Sequence, residues 1–197
     1  REATPVFEAL PWNYELIFVN DGSADASGQI LAELAAADPR VRVINFSRNF
    51  GHEAAMLAGL DHSSGEGIVC MDADLQHPPE CVAQIIEKFE EGYEVINMVR
   101  TKNKSAGFIK NLTSSAFYKF LNKISDVKLE NNASDFFALT ANAAQVLKTN
   151  YREKVRFLRG YVQNIGFNRT TIEYEARARV AGESKYSIRK LFKFSIN

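Results

Sequence analysis

Cysteine is nearly absent. The 197 residues hold two, Cys70 and Cys81, with no Cys-x-x-Cys or Cys/His ligand spacing, which argues against both a disulfide framework and a structural zinc site. Both read as buried thiols in a reducing compartment. A charge of one sign is lacking as well. Lys and Arg number 24 against 24 Asp and Glu, so the whole-chain electrostatic case for nucleic acid disappears and only local patches remain. No apolar run reaches the roughly 18 residues of a membrane-spanning helix. The opening Arg1-Glu2-Ala3-Thr4-Pro5 has no signal-peptide form. The chain as given is predicted to be soluble. Its first strong strand begins only at Tyr14, and residues 186–197 fall inside a helical pattern, so both ends are expected to be cuts in something longer.

What is present is ordinary globular composition, 46% apolar. At this length one domain buries roughly 70% of its unfolded surface, and no metal is needed merely to hold it together. Short apolar runs rich in β-branched and aromatic residues predict strands at 16–19, 41–46, 68–71 and 95–99. Helical patterns lie between them: 27–37 with Ile30, Leu31 and Leu34 on one face, 53–62, and 80–91 after Pro78-Pro79. Strand and helix alternate, which predicts an α/β fold with a mainly parallel sheet flanked by helices. After Val99 the rhythm changes. A basic loop, a helix over about 107–124, a short strand at 135–139, helical patterns at 141–147 and 154–165, and a strand at 169–174 precede the basic stretch 177–190. No linker or repeat divides the chain. A single domain over 1–197 is expected, with one half to about residue 100 and a smaller second half after it.

In an open parallel sheet, ligands sit outside the carboxyl ends of the strands. Three such ends are polar: Asn20-Asp21-Gly22-Ser23, Ser47-Arg48-Asn49-Phe50-Gly51-His52, and Asp72-Ala73-Asp74-Leu75-Gln76. Asp72 and Asp74, one residue apart on a loop, can point into one site and hold a hard divalent cation, Mg²⁺ or Mn²⁺. Such ions take oxygen ligands and are commonly shared with substrate phosphates. Gln76 adds a neutral oxygen. The bland reading is a solvated turn in which Asp72 caps the following helix. Asp21 lies in a turn whose Gly22 permits positive φ. It reads equally as a plain turn or as a contact to a base or ribose. Arg48 can pair with phosphate, although a bridge to a neighbouring carboxylate is the blander expectation.

Taken in order, Val-Asn-Asp-Gly-Ser (19–23), Phe-Ser-Arg-Asn-Phe-Gly-His-Glu-Ala-Ala (46–55), Met-Asp-Ala-Asp-Leu-Gln-His-Pro-Pro-Glu (71–80), Ser-Asp-Phe (134–136) and Gly-Glu-Ser-Lys-Tyr (182–186) resemble the family 2 inverting glycosyltransferases. Within them they are most similar to the polyprenyl-phosphate glycosyltransferases that act on dolichyl or undecaprenyl phosphate. The resemblance covers nearly the whole chain and implies a GT-A fold with a Rossmann-like sheet. It implies a UDP- or GDP-linked sugar donor, contacted by Asp21, Arg48 and Asp72, and a metal and diphosphate site formed by Asp72, Asp74 and Gln76. Asp135 falls where the family places an acidic residue near the acceptor, a candidate base, while the residues alone also allow a cap. The acceptor phosphate needs cations. Arg100, Lys110, Arg177, Arg179 and Lys185 are available, with Ser114 one helical turn after Lys110. A solvated basic face is their alternative.

Three departures mark the chain. The family's first strand and its Pro-x-Tyr/Phe-Asn-Glu loop are not in it. His77 stands where the family commonly has Asp, either as a neutral residue leading into a helix, the favoured reading, or as an extra metal ligand. Members usually continue into a membrane segment after Ser-Lys-Tyr. Ile188, Leu191, Phe192 and Phe194 among Arg189, Lys190 and Lys193 suit an interfacial helix leading to it. These features place the protein at the cytoplasmic face of a membrane, the inner membrane in a bacterium, with no nucleic-acid partner. A homo-oligomer stays open. Two other enzyme readings and one non-enzymatic reading compete. A family member acting on a sugar or polysaccharide acceptor commonly carries Gln-x-x-Arg-Trp, which residues 163–167 do not match. A haloacid-dehalogenase-type phosphatase wants Thr or Val where Gln76 stands. A nucleotide-sugar-binding module without catalysis has no support from the motifs present.

Overall fold

The computed structural model describes residues 3–101, 133–152 and 157–177. Its elements, in chain order, are α1 (Thr4–Glu8), β1 (Leu16–Asn20), α2 (Ser27–Ala37), β2 (Val41–Asn45), α3 (His52–His62), β3 (Gly67–Cys70), α4 (Cys81–Glu90), β4 (Val95–Arg100), β5 (Ala133–Thr140), α5 (Ala141–Asn150), α6 (Leu158–Asn164) and β6 (Arg169–Tyr174). Among the described residues the expected strands and the helices at 27–37, 53–62, 80–91 and 141–147 are present with small shifts at their ends, while the helix expected over 154–165 begins at Leu158, residues 153–156 lying outside the described residues. The short α1, with Pro5 in its first turn, had no counterpart in the periodicity, because five residues are too few to show one. The expected helix at 107–124 and the basic stretch beyond Arg177 lie outside the described residues.

The strands form two sheets. β1 and β2 pair in parallel. The second sheet has the order β3-β5-β4-β6, in which β4 and β6 are parallel and β5 alone runs against both its neighbours. This is the mostly parallel α/β architecture that the alternation predicts, with one reversed strand at its centre.

The four-stranded sheet is covered on both faces, and the pleat sorts its side chains accordingly. Val95, Phe137 and Leu139 face one way, onto Leu57 and Leu60 of α3, Ala143, Ala144 and Leu147 of α5, and Leu158 and Val162 of α6. Ile96, Met98, Phe136 and Ala138 face the other way, with Ile85 of α4, Ile172 and Tyr174. Burial on both faces explains why β5 reads as a continuous apolar run rather than an alternating one.

The two-stranded sheet is more thinly covered. α2 buries none of its residues, and Ile30, expected on its apolar face with Leu31 and Leu34, is 53% exposed. The helix meets only the narrow strip offered by two strands. α3 packs against both β1 and β3, and the Gly59 α-carbon lies close enough to β1 that a β-carbon there would sit 3.7 Å from Val19. Glu15 ties the lower ends together, accepting the Ser64 N–H at 2.8 Å and its hydroxyl at 2.7 Å. The carboxyl ends of β1, β2 and β3 therefore open beside the start of α3.

The two cysteines are free and partly rather than fully buried. Burial pushes the Cys70 thiol up to about 12 and raises that of Cys81. Among the described residues no helix is long and apolar enough to cross a membrane.

Leu60, fully buried at the end of α3, tests the main core. Leu60→Ala is expected to cost about 2–5 kcal/mol through lost contacts and the cavity left behind, read as a lower urea midpoint with an unchanged slope.

Candidate functional site

The site is assembled by the start of α3. Gly51 precedes it with φ +99°, and the Asp21 carboxylate caps the turn, accepting the Phe50 N–H at 2.6 Å and the Gly51 N–H at 3.0 Å. Gly22, at φ +64°, lies so close to Arg48 that a β-carbon would meet the Arg48 carbonyl carbon at 2.4 Å. The first two polar strand ends thus clamp each other. Arg48 lies at the surface with its guanidinium 4.1 Å above the Phe50 ring and donates to the Asn49 carbonyl at 3.3 Å.

The next two residues, His52 and Glu53, reach across to the second sheet. His52 Nε2 lies 3.4 Å from Asp135 Oδ2 and 3.8 Å from Asp72 Oδ1. Glu53 accepts the Leu158 N–H at 2.9 Å, which sets the start of α6. At the second residue of that helix, Arg159 places Nε at 3.0 Å and Nη2 at 2.8 Å from Asp135 Oδ1. Asp135, near the start of β5, is therefore held at both oxygens.

The electrostatics follow from those contacts. Burial alone would raise the Asp135 carboxyl, but the His52 hydrogen bond and the Arg159 guanidinium outweigh it and bring the group to about 2. At neutral pH it is an anion and a weak proton acceptor. The same bond to Asp135 raises His52, while burial pulls it the other way. Burial raises Glu53, only partly offset by the Leu158 N–H.

The loop after β3 carries the paired carboxylates. Asp74 Oδ1 accepts the Gln76 N–H at 3.1 Å, and the Asp72 N–H donates to His77 Nδ1 at 2.9 Å. Asp72 remains 40% exposed at its side chain. Gln76 turns toward the cationic rim: its Oε1 is 3.4 Å from Arg100 Nη2, and its carbonyl accepts the Arg177 N–H at 3.3 Å. Arg177 in turn pairs with Glu80 at 2.8 Å. His77 is 2% exposed, and burial pushes its imidazole down. Among the described residues no three His, Cys, Asp or Glu side chains converge to hold an ion. Of the three expected donors, Gln76 has its Oε1 turned to Arg100, which leaves the Asp72 and Asp74 carboxylates on offer to a hard cation completed by substrate oxygens.

The structure thus brings Asp72 and Asp135 together through His52, and joins Gln76 to Arg100 and Arg177. Lys110, Ser114, Arg179 and Lys185 lie outside the described residues. His52, Glu53 and Arg159 carried no role in the sequence reading. The available signal was a His-Glu pair opening a helix directly after a strand end, where both side chains face the mouth of the sheet.

Residues 6–146 match the family model described as Glycosyl transferase family 2. The chain belongs to that family. It is 46% identical over 192 residues to the uncharacterized glycosyltransferase YkcC of Bacillus subtilis (strain 168), covering 98% of this chain and 59% of that protein. It is 37% identical over 204 residues to the bactoprenol glucosyl transferase of Shigella phage SfV, covering 100% of this chain and 66% of that protein. The chain therefore spans about three fifths to two thirds of the length of these relatives. Among solved structures it resembles the mannosyltransferase PcManGT from Pyrobaculum calidifontis in complex with GDP-Man and Mn²⁺, with a TM-score of 0.56, 14% identity, and coverage of 87% of this chain and 50% of that one. It also resembles glucosyl-3-phosphoglycerate synthase from Mycobacterium tuberculosis, with a TM-score of 0.53, 18% identity, and coverage of 92% and 65%. These likenesses establish the GT-A fold of the family.

The ion pair at Asp135 has a pH signature. Its folded value of about 2 lies below the ordinary 3.8, so its contribution, about 2 kcal/mol, is present above pH 4 and lost as pH falls through about 2. Unfolding free energies of the unaltered protein and Asp135→Asn, from urea titration, are expected to differ by about that amount at pH 5 and to converge toward pH 2.

Proposed function

We propose that the protein transfers a sugar from a UDP- or GDP-linked donor to the phosphate of a polyprenyl phosphate, with inversion at the anomeric carbon. The observation that carries this reading is the convergence of Asp72, from the loop after β3, and Asp135, from β5, on either side of His52, with Arg100 and Arg177 beside the loop through Gln76. Carboxylates for a cation and diphosphate lie on one side and cations for an anionic acceptor on the other. The bactoprenol glucosyl transferase relative supports a polyprenyl phosphate as the acceptor. The Mn²⁺ and GDP-Man in the similarly folded mannosyltransferase are in keeping with a divalent ion at Asp72 and Asp74.

In this reading a phosphate oxygen of the lipid attacks the anomeric carbon from the face opposite the nucleotide. The new C–O bond forms as the bond to the diphosphate oxygen breaks, and the nucleoside diphosphate leaves with the electron pair. A divalent ion bound at Asp72 and Asp74 would offset the charge gathering on that diphosphate. The nucleophile needs little help, since a phosphate monoester loses its second proton near pH 6. Asp135, already committed to Arg159 and His52, accordingly orients the acceptor side of the site more than it removes a proton. Arg100, Arg177, Lys110, Arg179 and Lys185 supply the charge, and Ser114 a hydroxyl donor, for holding the lipid phosphate. We place catalysis at a membrane surface, since such an acceptor is a lipid, and on its cytoplasmic face, where nucleotide sugars are made.

Calorimetric titration with UDP and GDP, each with and without Mn²⁺, tests the donor side. One nucleotide is expected to bind only with metal, and Asp74→Asn to weaken that binding at least about tenfold while the melting temperature stays near that of the unaltered protein. In an assay supplied with the full-length enzyme and undecaprenyl phosphate, Arg179→Ala and Lys185→Ala are expected to raise the lipid KM and leave donor binding unchanged. Metal-independent nucleotide binding overturns the role of the paired carboxylates. Weakening of the nucleotide alone by the two cation substitutions overturns the acceptor assignment, and turnover on a sugar acceptor without lipid selects the polysaccharide reading instead.

A further inference from the structure

His77 has no role in the proposed reaction, yet it is one of three buried polar residues in the described core, with Asn97 and Gln163. An imidazole is buried at a cost unless its nitrogens are engaged. Here Nδ1 accepts the Asp72 N–H at 2.9 Å, which requires that nitrogen to be bare and places the ring proton on Nε2. Nε2 lies 3.7 Å from Asp72 Oδ2. The ring is stacked on Phe136, with centroids 4.9 Å apart and planes at 17°, and meets Tyr174 edge-on at 5.8 Å. Phe136 is the chain neighbour of Asp135. One side chain thus grips the main chain of Asp72 and rests on the strand that carries Asp135.

The loop it grips does not hold its shape by preference. Leu75 has φ +62°, a left-handed conformation that a bulky side chain rarely adopts. Such a residue persists only where its surroundings over-determine it. The contacts doing so are the Asp74 carboxylate on the Gln76 N–H, the Arg177 N–H on the Gln76 carbonyl, and the His77 ring on the Asp72 N–H. The first acts within the turn, the second comes from the stretch after β6, and the third anchors the turn to the sheet core.

We infer that His77 is a positioning residue: its Nδ1 fixes the Asp72 main chain, and its stack on Phe136 fixes the distance between the carboxylate loop and Asp135. The inference rests on the reading of Asp72 and Asp74 as the pair that holds the divalent ion. It also assigns His77 a role other than metal ligand, because Nδ1 is taken by the main chain and the ring is packed between Phe136 and Tyr174.

Mn²⁺ titration of the purified chain, followed by the free-ion paramagnetic resonance signal with UDP or GDP present and with melting temperatures alongside, tests it. His77→Phe keeps the stack and removes the acceptor, and is expected to weaken Mn²⁺ about tenfold or more. His77→Asn places Oδ1 where Nδ1 was, and is expected to stay within about threefold of the unaltered protein. If His77→Phe does not fold, His77→Leu serves as the acceptor-free variant. Unchanged Mn²⁺ affinity in the acceptor-free variant, or equal weakening by His77→Asn, overturns the positioning role while Asp74→Asn still abolishes binding. Absence of Mn²⁺ binding by the unaltered protein overturns the metal reading itself, and the inference with it.

Discussion

Asp135 and its two cationic partners hold the mouth of the sheet together. The carboxylate belongs to β5, Arg159 to α6 and His52 to α3, three elements whose order in the chain gives no hint that they meet. A carboxylate in this half-buried position would be driven toward its neutral form by desolvation. It stays charged because a guanidinium and an imidazole face its two oxygens. Removing either cation leaves an anion short of compensation, which costs more than the pair contributes. The neighbouring Glu53 extends the same device, since its grip on the Leu158 N–H sets the helix from which Arg159 projects. Two adjacent residues at the start of α3 therefore place both flanks of Asp135.

That constraint bears on the chemistry. A glycosyl acceptor that is a sugar hydroxyl needs a base able to take its proton as the bond forms. A phosphate acceptor arrives already charged and needs cations and a fixed approach. A carboxylate held near 2 suits the second demand far better than the first. The rim built from Arg100, Gln76 and Arg177 lies directly against the carboxylate loop, although its two arginines come from β4 and from the stretch after β6.

The alternation of apolar runs and amphipathic stretches was enough to read the strands, the helices and the α/β class, because a sheet covered on both faces writes its burial into consecutive residues. Asp72 and Asp74 were legible for a similar reason: a polar pair directly after an apolar run stands at the mouth of such a sheet. The partners of Asp135 were not. Arg159 lies in a stretch whose helical periodicity says which residues face the core but not which strand end an arginine meets. The outward turn of Ile30 escaped for the opposite reason, since local periodicity marks an apolar face without saying how wide a surface exists to cover it. The Asp21 carboxylate, read equally as turn or ligand contact, is occupied by the Phe50 and Gly51 N–H groups, a pairing set by the clamp between two loops far apart in sequence.

The reversed strand at the centre of the larger sheet has a consequence for how the chain is made. β5 lies between β3 and β4, so neither of those strands has its inner neighbour until residues 133–140 arrive. At about 5–20 residues per second of synthesis, β3 waits for seconds with an open apolar edge. Pairings of such long sequence separation form late and slowly. The first hundred residues, which carry the paired carboxylates, therefore cannot close their own sheet, and a nascent chain halted there exposes unpaired edges on both β3 and β4, of the kind on which aggregation and chaperone capture act.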